Sequence, residues 1–431
     1  MQTTDQASSS GPRVAPEASA AYAALHDSSP ASDVRPSASA RLIRKLMSAF
    51  GNPRVQFVLW NGERVNPVGV IPIASIRVHD RATLLRLCSD PDVQFGELYS
   101  AGRIEVEGDL EQFITDIYRG VAADNNAIAV VRRIAHRLHR RPANSLEGSK
   151  HNIHRHYDIG NDFYSLWLGR TMAYTCAYFP AQTATLDEAQ VAKMDHVCRK
   201  LRLQPGEQIA EAGCGWGALA LHMAQHYGVK VRAFNISHEQ ILYARERAQA
   251  EGLSHQVEFV EDDYRNLSGQ YDAFVSVGML EHVGIENYPE LGRVINRLLK
   301  PNAGRGLIHS IGRNWWKPMH RWIDRRIFPG ADPPSLRQMM DIFEESDFSV
   351  LDAENLRLHY AQTLQLWHQL FEQNKERVAQ MFDERFVRMW RLYLLGSRAA
   401  FLSGEMQLFQ VLFARGKNND VPWTREHLYS R

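Results

Sequence analysis

Along residues 41–50, RLIRKLMSAF, apolar residues return with the spacing of a helix. Leu42, Ile43, Leu46, Met47 and Phe50 fall on one face, with Arg41, Arg44 and Lys45 elsewhere. VQFVLW, the dipeptide Asn61-Gly62 and ERV then read as a β-hairpin, because Asn-Gly accepts the positive φ angles of a tight turn. IPIASIRV reads as another strand and RATLLRLC as a helix. DLEQFITDIYRGV, 109–121, reads as a helix capped by Asp109. Residues 41–121 are therefore expected to form a small α+β domain with no chemical constellation of its own. Before it, residues 1–38 are rich in Ser, Ala and Pro and are expected to be a disordered tail. After it, 122–150 holds a second basic amphipathic stretch, NAIAVVRRIAHRLHRR (126–141), and a linker. Ile128, Val131, Ile134, Ala135 and Leu138 share a face ringed by arginines. Such a helix fits an anionic lipid surface, and equally an interdomain helix with a solvated basic face.

From about residue 205 the pattern becomes an alternation of strands and helices. QIAEA, VKVRAFNI, VEFVEDD, DAFVSVGML and GLIHSIG read as strands. ALALHMAQHYG and HEQILYARERAQAEG read as helices between them, the second ended by Gly252. This βαβ order predicts an α/β fold with a doubly wound parallel sheet. FSVLDAENL and MQLFQVLFAR read as late strands. The helices between them are marked by Trp367, Leu370 and Phe371 and by Phe386, Trp390, Tyr393 and Leu394.

The length of 431 residues suggests two or three domains. Fifty Lys+Arg against 49 Asp+Glu give a net charge of +1, which excludes a strongly polybasic nucleic-acid binder. The four cysteines, Cys88, Cys176, Cys198 and Cys214, are too scattered for a disulfide scaffold. None lies in a CxxC pair, so no metal site is expected and a reducing compartment fits best. No segment approaches the roughly 20 apolar residues of a membrane span. The start MQTTDQASSSG has neither the basic nor the apolar region of a signal peptide. The expectation is a cytoplasmic protein that meets any membrane from the side.

The strongest local chemical signal is EAGCGWG, 211–217, where a strand meets its helix. Gly213, Gly215 and Gly217 give GxGxG spacing, with Glu211 just before it. A dinucleotide turn carries its third glycine later, for pyrophosphate. The form here suits a zwitterion without phosphate: a carboxylate for free helix N–H groups and an ammonium for Glu211. S-adenosylmethionine is such a ligand, and a purely structural turn has the same spacing. The end of the second strand, where a ribose-binding acid is usual, carries Asn235, with Gln240 as a further hydroxyl partner. After the third strand, Asp263 can accept from an adenine amine and Tyr264 can stack on the ring. A half-buried surface tyrosine fits the same place. Glu281-His282 follow the fourth strand, where an open α/β sheet keeps its catalytic groups. Upstream, His156, Tyr157 and Asp158 precede a helix expected to align Phe163, Leu166 and Trp167, either a lid or a capped core helix.

In order along the chain, HYDIGNDFY, YTCAYFP, EAGCGWG, NISHEQ, DDYR, GMLEHVG, HSIG and IFPGADPPSLRQM closely resemble the cyclopropane-fatty-acid synthase family. These are S-adenosylmethionine-dependent enzymes that include the mycolic-acid cyclopropane synthases. The resemblance spans about 150–415, and FGELYSAGRIEVEGDL (95–110) is similar to the small N-terminal domain of the phospholipid-acting members. It implies a class I methyltransferase, Rossmann-like fold in 151–431, with a mostly parallel seven-stranded sheet and a helical cap over the acyl site. It implies that Tyr174, Thr175, the 209–217 turn, Gln240 and Tyr264 contact the cofactor, although Ser is commoner at 175. Cys176, Glu281, His309, Ile311 (through its backbone) and Tyr360 match the positions that hold a bicarbonate ion beside the reacting carbon. No Cys follows Cys214, so a mechanism with a late nucleophilic cysteine has no counterpart.

The implied reaction transfers a methylene group to the cis double bond of an unsaturated phospholipid acyl chain, through a carbocation deprotonated by bicarbonate. The implied partners are a bilayer, met peripherally at the inner face of the membrane, and a second copy in a homodimer. Candidate membrane surfaces are the helices at 41–50 and 126–141 and Trp315-Trp316 with Trp322 and Phe328; the last two equally suit the core of the cap. Competing readings are a fatty-acid C-methyltransferase giving methyl- or methylene-branched chains, a relative acting on a small amine, and an inactive lipid-binding protein.

Overall fold

The computed structural model describes residues 36–123, 159–344 and 346–429. The expected tail up to residue 35, the basic stretch 126–141, the linker, and His156, Tyr157 and Asp158 lie outside these residues.

The first helix, Ala38–Ala49, begins before its apolar stripe because Ser37 caps it, its hydroxyl accepting from Ala40 N at 3.0 Å. Ile43 and Met47 are buried, so the stripe faces inward and the basic side faces out. β1 (Val55–Val58) and β2 (Arg64–Val65) make the expected hairpin. β3 (Ala74–Val78) and β4 (Ile104–Gly108) complete a sheet of order β2-β1-β3-β4. β3 is shorter than the apolar run IPIASIRV, since Pro72 has no N–H for a ladder. The helices Arg81–Ser89 and Leu110–Ala123 form as read, with Asp109 accepting from Gln112 N at 2.9 Å. The intervening helix Pro91–Ser100 carries no clear apolar stripe and is not marked by the pattern.

The second sheet has seven strands: β5 (Gln208–Ala212), β6 (Lys230–Asn235), β7 (Val257–Glu261), β8 (Ala273–Val277), β9 (Arg305–Gly312), β10 (Phe348–Asn355) and β11 (Gln407–Arg415). Their order is β10-β11-β9-β8-β5-β6-β7. β5 to β9 run parallel, and β11 is antiparallel to both its neighbours. β5 is flanked by β6 on one side and β8 on the other, so the chain reverses its order there. The carboxyl ends of β5 and β8 form the crevice where open α/β sheets bind ligands. The helices Ala218–Tyr227 and His238–Ala250 cover one face and Tyr288–Leu298 the other, each with its own apolar core.

Over the crevice, Arg357–Gln373 and Glu384–Ser403 pack against each other around the fully buried Trp367 and Trp390. Trp167 joins this aromatic core, its ring 5.6 Å from Trp367. The helix expected to align Phe163, Leu166 and Trp167 is a single turn, Asn161–Ser165. Leu166 and Trp167 instead donate to carbonyls three residues back, which tightens the chain into turns.

The small domain grips this cap. Glu97 accepts two hydrogen bonds from Arg326 at 2.6 and 2.7 Å and one from Arg385 at 3.3 Å. Arg321 pairs with Asp90, Arg398 with Glu111, and Arg388 donates to the carbonyls of Tyr99 and Ile104. Between these pairs the buried Trp322 lies on Gly96, where any Cβ would overlap its indole. Gly96→Val is expected to push Trp322 off this seat and to raise hydrogen exchange across Arg321–Arg326 by at least about tenfold, the amount that about 1.4 kcal/mol of lost packing produces.

Candidate active site

The 213–217 turn leaves β5 with its three glycines at positive φ. A Cβ on Gly217 would stand 2.6 Å from the Phe259 ring, so glycine lets the helix Ala218–Tyr227 start against β7. Gly215 has nothing within 4 Å of where its Cβ would be, so there the backbone faces open space. At the end of β6, Asn235 Nδ2 donates to Gln240 Oε1 at 2.7 Å, joining the two residues read as hydroxyl partners. Asp263 is buried, and both its oxygens accept from Arg265, at 2.8 and 3.2 Å. As an acceptor for an adenine amine it would share those oxygens with a cation that the sequence reading does not include. Gly213, Asn235, Asp263, Tyr264 and Met279 line one cavity with about 470 Å³ of empty space, part of it open to solvent. The Tyr264 hydroxyl is buried without a hydrogen-bond partner there.

The segment 173–179 is an extended strap held from two sides. From the helix Leu186–Leu201, Gln190 Nε2 donates to Thr175 O at 2.9 Å and Lys193 Nζ to Thr175 Oγ1 at 3.1 Å. From Arg357–Gln373, Thr363 Oγ1 accepts from Ala177 N at 3.0 Å and His359 Nδ1 from Phe179 N at 3.0 Å. The Tyr174 and Tyr393 hydroxyls are 2.8 Å apart, and the Tyr174 ring packs on Tyr164, Trp167, Phe328 and Trp367.

Glu281 lies just past β8 and turns toward β9, where Oε1 accepts from Ile311 N at 2.5 Å. The Ile311 amide is thus already committed to Glu281. Burial pushes the Glu281 carboxyl up to about 7, opposed by that amide. His309 sits two residues before Ile311 on β9, opposite Gln410 of β11, whose Nε2 is 3.0 Å from His309 Nδ1. Burial, with help from the nearby Lys193, brings the imidazole down to about 3, so it is neutral. With Gln410 donating to Nδ1, the ring proton sits on Nε2. Register carries the corner onward: Leu408 pairs with Ile311, and Leu356 N donates to Leu408 O at 2.8 Å. Leu356 O then accepts from Tyr360 N at 3.2 Å and lies 3.9 Å from Cys176 Sγ. Register and backbone hydrogen bonds thus link the strand that carries His309 and Ile311 to Leu356, whose carbonyl touches both Tyr360 and Cys176. Burial pushes the Cys176 thiol far up, so it stays protonated.

Two buried groups of this corner were not singled out in the sequence. Gln410 is a polar break in the otherwise apolar run LFQVLFA (408–414), and such a break is a signal for a buried partner. Lys193 lies on a helix with no comparable cue. It is 2% exposed, and its charge acts on Glu211, Cys176 and His309 together. Burial raises the Glu211 pKa and lowers that of Lys193, and each opposes the other's shift.

The atoms left without hydrogen bonds test what these sites fit. Around the glycine turn they are Glu211 Oε2 and the Tyr264 hydroxyl, beside open backbone at Gly215. That set suits the ammonium, carboxylate and aromatic base of S-adenosylmethionine. In the second corner they are Glu281 Oε2, Gln410 Oε1 and His309 Nε2–H, two acceptors and one donor. Bicarbonate, with one O–H and further acceptor oxygens, can meet Glu281 with the first and His309 with the others.

The sheet order and the glycine turn at its reversal define a class I S-adenosylmethionine-dependent methyltransferase fold. The solved structure of mycolic acid cyclopropane synthase CmaA1 complexed with SAH and CTAB has it, at 29% identity and a TM-score of 0.58, over 64% of this chain and 99% of that one. The family model of mycolic acid cyclopropane synthetase matches residues 144–411, and the chain belongs to that family as an S-adenosylmethionine-dependent methyltransferase. Residues 42–125 match a second family model, described as a domain of unknown function. A probable fatty acid methyltransferase of Pseudomonas putida is 37% identical over 385 residues, 86% of this chain and 95% of that protein. The cyclopropane-fatty-acyl-phospholipid synthase of Escherichia coli K12 is 41% identical over 267 residues, 62% of this chain and 68% of that one.

Proposed function

We propose that this protein converts the cis double bond of an unsaturated phospholipid acyl chain into a cyclopropane ring, with S-adenosylmethionine as the one-carbon donor and bicarbonate as the base. The observation that carries this reading is a pair of buried polar atoms on neighbouring strand ends, Glu281 Oε2 just past β8 and His309 Nε2 on β9, each without a hydrogen-bond partner, in a chain whose Cys176 thiol burial keeps protonated. Ring formation needs such a place. When bound, S-adenosylmethionine supplies an electrophilic methyl group. Transfer of that methyl carbon to the alkene π bond would break its bond to sulfur, release S-adenosylhomocysteine and leave a carbocation on the acyl chain. The transferred methyl must then lose a proton so that the ring closes. Bicarbonate supplies the acceptor.

The chain's own residues hold that acceptor and keep other nucleophiles away. Glu281 takes its O–H, while His309 Nε2–H and the Tyr360 and Cys176 region bind the rest. The rings of Tyr174, Phe328 and Trp367 make a wall that excludes water and favours a passing cation. Tyr174, Thr175, Glu211, the glycine turn, Asn235, Gln240, Asp263 and Tyr264 hold the cofactor. Tyr264→Ala is expected to weaken S-adenosylhomocysteine binding by about tenfold or more, read by calorimetry, because stacking on one base is worth roughly 1–3 kcal/mol.

The second reading is a fatty-acid C-methyltransferase giving a methyl- or methylene-branched chain, which the name and coverage of the Pseudomonas putida relative favour. The deciding experiment incubates the protein with vesicles of cis-monounsaturated phospholipid, S-adenosylmethionine and bicarbonate. The released fatty acids are then separated and weighed. A gain of one CH2 in a cyclopropane confirms the proposal. A branched chain, heavier by CH2 when methylene-branched or by CH4 when a hydride reduces the cation to a methyl branch, moves the function to the second reading, and no gain with cofactor bound overturns both.

A further inference from the structure

Among the described residues no helix is long and apolar enough to cross a membrane, and most of the expected membrane-contact elements are turned inward. The helix Ala38–Ala49 keeps its apolar stripe in the core, Trp316 and Trp322 are buried, and Phe328 packs on Tyr174 and Tyr393. What the structure exposes instead is the loop between β2 and β3. Its sequence, NPVGVIPI (66–73), carries no charge. Val68 is 79% exposed, Val70 46% and Ile71 67%. A single exposed aliphatic is ordinary, but three within four residues make a patch that needs a partner.

The loop is held in this exposed form. Both its ends are tied to the β1 region: Asn66 Oδ1 accepts from Gln56 Nε2 at 2.6 Å, and Ile73 N donates to Arg54 O at 2.8 Å. Pro67 and Pro72 stiffen it, and Gly69 turns its tip at a φ of 71°. The apolar tip therefore does not fold back onto the domain. Next to it β2 forms the edge of the sheet, and the helix Ala38–Ala49 packs along that edge. This helix has no acidic residue; Arg44 and Lys45 are exposed on it, as is Arg64 on β2. Uncharged aliphatics flanked by free cations are the chemistry of an anionic bilayer surface, with the tip among the acyl chains and the cations at headgroup level.

We propose that the loop Asn66–Ile73 inserts into an anionic phospholipid bilayer and that Arg44, Lys45 and Arg64 hold the headgroups around it. The inference deepens the proposed function, resting on the reading that the substrate is a bilayer lipid. It gives the small domain the task of seating the catalytic domain on its substrate.

The test uses the full-length protein and vesicles of phosphatidylcholine with or without phosphatidylglycerol. Wild type is expected to sediment with the phosphatidylglycerol vesicles. The double variant Val68→Asp/Ile71→Asp is expected to bind them at least about tenfold more weakly, since two aliphatic side chains lose their transfer from water. Arg44→Glu/Lys45→Glu is expected to lose the preference for phosphatidylglycerol. A bimane label on Val70→Cys, in a Cys88→Ala background, is expected to be quenched by lipids brominated in their acyl chains. The proposal is overturned if wild type binds neither vesicle, if Val68→Asp/Ile71→Asp binds like wild type, or if the label stays unquenched on bound protein. It is also overturned if those substitutions abolish only self-association. Turnover on unsaturated lipid in detergent micelles separates the two readings. It is expected to be unchanged in Val68→Asp/Ile71→Asp. Vesicle binding through the loop with no product from wild type would sink the reaction and leave the loop's role standing.

Discussion

Glu281→Gln is expected to lower turnover about a thousandfold, the scale of losing a group that positions both base and charge, while S-adenosylhomocysteine affinity stays within about twofold. Glutamine keeps the shape and still accepts from Ile311 N, but it offers no carboxylate to the anion. The same change is expected to stabilise the fold at alkaline pH. Burial raises the Glu281 carboxyl from an ordinary value of 4.5 to about 7, so the folded state holds a proton that the unfolded chain has released. The stability from that proton is fully present below about pH 4.5 and is lost as pH rises through about 7. Above that, the ionised side chain costs roughly 3 kcal/mol, which glutamine removes. Thermal unfolding at pH 8 should show Glu281→Gln melting higher than wild type, and at pH 4.5 the two should coincide. Full activity in Glu281→Gln would show that the anion corner is wrongly placed.

Lys193→Met is expected to destabilise the catalytic domain by about 1–3 kcal/mol, the cost of leaving a buried polar group without its hydrogen bond, here the part-buried Thr175 Oγ1 without Lys193 Nζ. It also removes the cation that opposes the burial-raised pKa of Glu211, so that carboxyl stays protonated. Urea unfolding should show the loss, and adding Glu211→Gln should change it little further. The same pair of variants separates structure from ligand binding. If Glu211 binds the cofactor's ammonium, Lys193→Met/Glu211→Gln matches Lys193→Met in stability but binds S-adenosylhomocysteine at least about tenfold more weakly than wild type. A double variant that binds like wild type would remove Glu211 from the cofactor site.

Much of the catalytic fold was legible because its parallel strands are short apolar runs that alternate with helices. The turn at 213–217 was legible as a turn, but its spacing is shared with a purely structural one, and the other motifs along the chain were needed to read its chemistry. What pattern could not supply was neighbourhood across the fold. Lys193 acts on Glu211, and Gln410 meets His309, only because a helix and the reversed strand β11 bring them there. The misreadings have physical causes too. IPIASIRV looks like one buried strand, but Ile71 stands in solvent, since periodicity cannot tell a covered aliphatic from a bare one. The basic helix at 41–50 was correct as a helix, yet its apolar face was already taken by its own domain.

The seam between the domains has a polarity. In every ionic pair named across it, the cation belongs to the catalytic domain and the small domain gives the carboxylate: Arg321 to Asp90, Arg326 and Arg385 to Glu97, Arg398 to Glu111. Beside these pairs runs apolar contact, with Trp322 on Gly96 and one buried apolar cluster that takes in residues of both domains. Dissolved ions therefore act on its two parts in opposite senses. Chloride salts screen the exposed pairs within a Debye length of about 8 Å at physiological strength, while strongly excluded salts such as sulfate tighten the tryptophan seat. The grip of one domain on the other becomes a quantity that the choice of anion can tune, and kinetic work on this protein is best done at one fixed buffer composition.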